Sequence, residues 1–157
     1  QAAQLILQVA GRTGRENTSG RLLVQTRQPD NPLLRLLCQG DYHRFAAELM
    51  KEREMAGFPP FGHLALFRAE SIQPSDAQQL LEAAASPLWA QQEVMVLGPA
   101  PAPMERRQGR YRAQLLLLAP ERRTLHHYIP QLIQTLSQHP LTKRTRWHLD
   151  IDPVDLT

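Results

Sequence analysis

Between residues 63 and 151 the apolar residues switch repeatedly between a period of two and a period near 3.6, and the order of those switches restricts the fold more than any other feature. Residues 63–70, with Leu64 and Leu66 among alternating partners, read as a strand. Ser75 and Gln78 make a capping box ahead of Ala77, Leu80, Leu81, Ala84 and Leu88, which share one helical face. Residues 93–98 read as a second strand that stops at the rigid Pro99-Ala100-Pro101-Ala102-Pro103 segment, and residues 111–118 as a third, almost wholly apolar at its far end. Pro120 and Glu121 open a second helix with Leu125, Tyr128, Ile129, Leu132, Ile133 and Leu136 inward. Pro130 lies inside that pattern and predicts a kink or two short helices, since an interior proline costs about 3 kcal/mol. Residues 146–151, with Trp147, Leu149 and Ile151 on one face, are a final strand.

Strand–helix–strand–strand–helix–strand is the split βαβ, or ferredoxin-like, order of an α+β domain, here with a long connection from Pro99 to Gly109 between its middle strands. Ahead of it, residues 1–10 carry Ala2, Leu5, Ile6 and Val9 at helical spacing before Gly11, Gly14 and residues 16–20 break the pattern. Residues 21–26, apolar between a glycine and a Gln-Pro-Asp-Asn-Pro turn, predict a buried strand. Pro32 opens a short helix to about Gln39, stopped by Gly40. Tyr42, Phe45, Ala46, Leu49, Met50 and Arg53 then outline an amphipathic helix that ends at Gly57, where Phe58-Pro59-Pro60 forbids continuation. That break sets the expected boundary between residues 1–60 and residues 61–157. The chain opens on Gln1 without the basic stretch and apolar run of a signal peptide. Residues 1–10 read as the middle of an element begun upstream, so the chain is expected to be the C-terminal part of something larger.

Composition closes off several classes of function. With 42% hydrophobic and 21% charged residues, a chain of 157 has material for a real core and is not wholly disordered. Its longest purely apolar run, residues 115–119, is far short of the roughly 18 residues a membrane span needs. The single cysteine, Cys38, excludes an internal disulfide framework and a multi-cysteine zinc site, and fits a reducing, cytoplasmic home. Its neighbours Leu33, Leu34, Leu36 and Leu37 predict a buried thiol. The formal charge is only +3, but 16 of the 18 basic residues are arginine, whose rigid fork suits phosphate.

The string Gln8-Val9-Ala10-Gly11-Arg12-Thr13-Gly14-Arg15 carries the most chemistry. A helix delivers Gln8 and unwinds through two glycines that permit close backbone approach, while two arginines three apart can converge on one anion. A solvated loop or a generic anion site would also explain isolated Gly-Arg pairs. The whole Q-x-x-G-R-x-G-R pattern at a helix end resembles motif VI of superfamily 2 helicases, which lies in the second of two RecA-like lobes and faces ATP in the cleft between them. Gly20-Arg21-Leu22-Leu23-Val24-Gln25-Thr26, Tyr42 with Phe45, Glu52-Arg53, Pro59-Pro60, Val96-Leu97-Gly98-Pro99, Gly109-Arg110-Tyr111-Arg112 and Trp147-His148-Leu149-Asp150-Ile151-Asp152-Pro153 extend the likeness along essentially the whole chain. Together they resemble the C-terminal part of the PriA family of primosomal, replication-restart DNA helicases. Glu16-Asn17-Thr18-Ser19 departs from the small or glycine-rich residues common after motif VI, which touches only a surface loop.

The resemblance implies that residues 1–60 end the second RecA-like lobe and residues 61–157 form the C-terminal domain. It implies that Arg15 is an arginine finger on the γ-phosphate, that Arg12 contacts the triphosphate or couples the cleft to DNA, and that Gln8 hydrogen-bonds across the lobe interface. The intact parent would be an ATP-dependent 3′→5′ DNA helicase that acts at stalled forks and in primosome assembly. It would use ATP and Mg²⁺, and would bind zinc outside these residues. No G-x-x-x-x-G-K-[ST] string occurs here, so this chain alone is expected to hydrolyse no ATP and to hold no cofactor. Implied partners are forked and single-stranded DNA, the acidic tail of single-stranded DNA-binding protein, and other primosome proteins.

Further candidates lie in the second half. Residues 105–112 carry Arg106, Arg107, Arg110 and Arg112 against one glutamate, with Tyr111 interleaved. Arginines that neutralise phosphate and an aromatic that stacks on a base are the ingredients of single-strand binding, and a solvated hairpin with Tyr111 turned into the core is the competing reading. Lys143, Arg144 and Arg146 form a second basic cluster, beside a Trp147 that packs inward. Arg122 and Arg123 open a helix whose dipole disfavours cations; Arg122 with His126, one turn on, is a candidate carboxylate-binding pair for the acidic tail. His126 and His127 diverge on a helix and make no metal pair, and Asp150, Asp152 and Asp155 read as a polar strand face and tail, so no metal site is expected. Two other functions compete. A stand-alone single-stranded nucleic-acid module would need exposed aromatics where residues 115–118 are aliphatic. A protein-docking scaffold would bind without the steep salt dependence of phosphate contacts.

Overall fold

The computed structural model describes residues 2–10 and 22–153, which fall into two units, Gln1–Glu52 and Arg53–Thr157. Helices α1 (Ala2–Ala10), α2 (Pro32–Cys38) and α3 (Tyr42–Met55) belong to the first, with α3 running on into the second. Asn31 caps α2: its side chain accepts from the N–H groups of Leu33 and Leu34 at 2.9 and 3.3 Å, and Pro32 supplies the first helical residue, where no N–H is missed. The expected strand over residues 21–26 is not formed in its described part, and Leu23 is 92% exposed. A strand needs a neighbour to take its N–H and C=O groups, and the described residues of this unit contain none. Cys38 is exposed, not buried; in α2 only Leu37 is fully buried, because a single helix of two turns covers one stripe and Cys38 lies off it. The same limit holds for α3, where Phe45, Ala46 and Leu49 are half-buried while Tyr42 and Met50 are exposed.

The second unit follows the predicted succession. Strand β1 (His63–Ser71) is followed by α4 (Asp76–Ala85), β2 (Met95–Arg107), β3 (Arg110–Ala119), α5 (Arg122–Gln138) and β4 (Thr145–Ile151). The strands form one antiparallel sheet in the order β2-β3-β1-β4, with α4 and α5 packed against it. Register assigns the two faces. Ala65, Phe67 and Ala69 lie opposite Leu117, Leu115 and Ala113 on one side and Ile151, Leu149 and Trp147 on the other. All of these odd-numbered positions except Ile151, which is exposed at the end of β4, meet Leu80, Leu81, Leu125, Leu132 and Leu136 of the helices in the core. Phe67 and each of those leucines is fully buried, worth about 1.5–3 kcal/mol apiece.

Three local expectations are corrected. The Pro-Ala segment is not a connection but the continuation of β2, and the link to β3 is only Gln108-Gly109, both at positive φ (50° and 77°), as a two-residue type I′ hairpin requires. The prolines are tolerated because β2 is an edge strand, where one row of N–H groups has no sheet partner, and its register shifts between Leu97 and Ala100 and between Pro101 and Arg106. No capping box forms: Ser75 makes no side-chain cap bond, and α4 ends at Ala85, so Leu88 is buried from a short 3₁₀ turn rather than from the helix. Finally, α5 is one helix through Pro130, not two, and its apolar stripe packs against the sheet on both sides of that proline.

Candidate functional site

The even-numbered residues of the strands make the other face of the sheet, where apolar and polar ends are distinct. Leu64, Leu66, Leu116 and Leu118 occupy one end. At the other, Glu70 of β1 sits between Arg112 of β3 and Arg146 of β4, and in the next row Arg68 sits between Gln114 and His148. The hairpin register places Arg107 opposite Arg110, beside this polar end. Ion pairs thread the patch: Arg68 Nη1 lies 3.6 Å from Asp150 and Arg110 Nε 3.9 Å from Glu70. The Arg112 guanidinium donates to the Met104 carbonyl at 3.5 Å. A groove of about 680 Å³ runs across it, lined by Arg68, Glu70, Arg107, Arg112, His148 and Asp150, among others.

The basic stretch of residues 105–112 is thus divided by the pleat. Arg107, Arg110 and Arg112 share the groove face, whereas Arg106 pairs with Tyr111 in the row of Ser71 and Thr145, on the helix side. The Arg106 guanidinium carbon stands 5.2 Å from the centre of the Tyr111 ring, a cation–π contact that holds the half-buried ring. The second basic cluster separates as well. Arg146 joins the groove face, Lys143 is exposed on a 3₁₀ turn, and Arg144 turns to Asp76, its Nε at 2.7 Å and Nη2 at 3.1 Å from the carboxylate. Asp76 is only 3% exposed and also accepts from the Ser71 hydroxyl at 3.3 Å. Trp147 packs against the core as expected.

Arg122 is 61% exposed and donates to Asp152 at 2.9 Å; His126 is exposed one turn along the helix. Asp152 also accepts the Leu64 N–H at 3.0 Å and faces His63 Nδ1 at 3.5 Å. Burial alone would raise its pKa, but the Leu64 N–H, His63 and Arg122 together outweigh that and hold the carboxyl below its ordinary value. Asp150 and Asp152 therefore face arginines, and among the described residues no three His, Cys, Asp or Glu side chains gather as a metal would need. Asp155 lies outside the described residues. So do Arg12 and Arg15; Gln8 is exposed near the end of α1. Sequence reasoning missed Arg68, Gln114 and His148. Their signal was parity: each is a polar residue at the alternate position of a strand whose other positions are apolar.

A four-stranded antiparallel sheet with helices on one face and an arginine-rich groove on the other defines a small α+β domain. Residues 54–154 match the model of the primosomal protein N C-terminal domain, and the chain belongs to that family. Among curated relatives, the replication restart protein PriA of Haemophilus influenzae is 38% identical over 157 residues, covering 99% of this chain and 21% of that protein. The protein of the same name from Synechocystis is 37% identical over 120 residues (74% of this chain, 14% of that one). That from Treponema pallidum is 39% identical over 118 residues (74% and 18%). The chain spans about a fifth or less of the length of these relatives. No helix among the described residues is long and apolar enough to cross a membrane.

Proposed function

We propose that this chain is the C-terminal part of an ATP-dependent 3′→5′ DNA helicase of replication restart and primosome assembly, whose C-terminal domain holds single-stranded or forked DNA. The observation that carries the DNA-holding role is the convergence of Arg107, Arg110, Arg112 and Arg146, from two separate stretches of sequence, at one end of the helix-free sheet face. Arginine forks there can meet phosphate oxygens, while the absence of Phe, Tyr and Trp from that face's rows speaks for backbone holding rather than base stacking. The sheet order and the helices on one side support a ferredoxin-like domain.

The motor role rests on the Gln8–Arg15 pattern and on the names of the relatives. In this reading residues 1–60 close a RecA-like lobe, Arg15 and Arg12 meet the triphosphate of ATP, Gln8 bonds across the lobe interface, and Mg²⁺ and zinc are held elsewhere in the parent, in the cytoplasm. Arg122 with His126 receives the acidic tail of single-stranded DNA-binding protein, displacing Asp152.

The test is fluorescence anisotropy of a labelled single-stranded oligonucleotide with the whole chain at low and physiological salt. Beside it stands the Arg107/Arg110/Arg112/Arg146→Ala variant, which leaves the Arg106–Tyr111 contact in place. Salt-sensitive binding that the variant loses is the expected result. A folded chain that binds nothing at low salt overturns the DNA-holding role and leaves a protein-docking scaffold.

A further inference from the structure

We propose that the groove on the helix-free sheet face is a cytosine-reading subsite for single-stranded DNA, with Arg107 and Arg112 on the phosphate and Asp150 accepting the exocyclic amine of the base. The proposal rests on the DNA-holding role above and adds to it a preference that arginines alone cannot supply.

The groove's charge is graded along its length. Arg107 and Arg112 stand at the hairpin end, Arg68 at the middle, and Asp150 beyond it. At about 680 Å³ it falls within the range of roughly 300–1,000 Å³ that suits small ligands. Register fixes the spacing of its two poles. Arg112 lies opposite Glu70 and Asp150 opposite Leu66, on strands flanking β1. The backbone positions are therefore about 13 Å apart along the strands and about 10 Å across them. The long arginine side chain closes much of that gap and leaves the span of one nucleotide from phosphate to base edge.

The acidic pole is prepared to accept a hydrogen bond. Asp150 is half-exposed, and Arg68 approaches one carboxylate oxygen at 3.6 Å from a side chain only 13% exposed. Arg68 thereby orients the carboxylate without using up its several lone-pair sites. On the same face Gln114, opposite Arg68, has a buried Oε1 with no hydrogen-bond partner among the described residues, which leaves Asp150 as the acceptor that lines the groove at this pole. Cytosine presents an N4 amine to such acceptors, whereas thymine presents O4 and a methyl group that a carboxylate repels. Pyrimidines of equal ring size are thus told apart by one contact.

Anisotropy titrations of the whole chain with oligo-dC and oligo-dT of equal length provide the test. The expected result is dC bound about fivefold more tightly than dT, a ratio of the size one base-edge contact supplies. Asp150→Asn, checked for folding by thermal melting, brings the ratio to about one. An oligo-dC carrying N4,N4-dimethylcytosine, which has no amine hydrogen, falls to the dT level with the protein unaltered. Arg112→Ala weakens both oligonucleotides by a similar factor and preserves their ratio. Equal affinity of the unaltered chain for dC and dT overturns the cytosine subsite and leaves DNA holding intact. Binding of neither overturns both.

Discussion

Arg144→Ala removes the guanidinium that faces Asp76, and the structure sets the size of the effect. Asp76 is 3% exposed, accepts a hydrogen bond from Arg144 Nη2 at 3.1 Å and pairs with its Nε at 2.7 Å, leaving after the substitution the Ser71 hydroxyl at 3.3 Å. Breaking a buried pair by removing one member costs about 3–5 kcal/mol, because an uncompensated charge stays behind. The Arg144 side chain is 63% exposed, so water screens part of the interaction and enters once the arginine is gone, which reduces the expectation to about 2–3 kcal/mol. For a domain of this size that lowers the melting temperature by about 8–12 °C. Urea unfolding of the whole chain, followed by the fluorescence of Trp89 and Trp147, reads the change at constant slope. Asp76→Ala on top of Arg144→Ala returns part of the loss, since no charge is then stranded. A loss below about 0.5 kcal/mol, or additive losses in the double variant, would refute a buried, coupled pair and return Arg144 to the ordinary surface arginines.

Asp152 has a folded-state pKa below its unfolded value, so its contribution is present above the ordinary carboxylate pKa of about 3.9 and is lost as pH falls through the folded value. Asp152→Asn is expected to lower stability at neutral pH and to flatten the acid limb of a melting-temperature profile; an unchanged limb argues against the assignment. Gly98 has φ +97°, and a Cβ there would stand 2.9 Å from the Gln114 carbonyl oxygen. Gly98→Ala should therefore cost about 1–3 kcal/mol in a denaturant titration. Phe67→Ala, at a fully buried position, should cost about 3–5 kcal/mol in the same assay.

What the sequence made legible was periodicity, and what it hid was pairing. Leu80, Leu81, Leu125, Leu132 and Leu136 announce their burial by spacing alone, since a helix can hide an apolar stripe only one way. The Pro-Ala run misleads because proline forbids a central strand but not an edge one, and strand order is a long-range property. Residues 21–26 mislead in the opposite sense: their composition suits a strand, yet a strand exists only beside another. The arginines of residues 105–112 were visible as a cluster, but their division between two faces follows from the Gln108-Gly109 turn, which sets the register of β2 against β3. Ser75 and Gln78 suggest a capping box, yet the side chain between them that finds a partner is Asp76, buried against an arginine 68 positions away. No local pattern carries that information.

One register joins the core to the groove. In β1, β3 and β4 the odd-numbered residues meet the helices and the even-numbered ones face away, so a slip of β4 by one residue would exchange the two sets. Arg146, His148 and Asp150 would then be driven toward the helix side, against α4, and Trp147 and Leu149 would take the place of the groove's polar wall. Asp152 opposes that slip from just beyond the strand. Its N–H donates to the Leu64 carbonyl at 2.7 Å, its carboxylate accepts the Leu64 N–H at 3.0 Å, and Arg122 at the start of α5 holds it from the helix side at 2.9 Å. A carboxylate that fixes β4 against β1 in this way stabilises the apolar core and aligns Asp150 with the arginines of β3 in the same act. If the cytosine preference is a property of that alignment, Asp152→Asn should weaken it together with stability, whereas Asp150→Asn should abolish it while the melting temperature changes little.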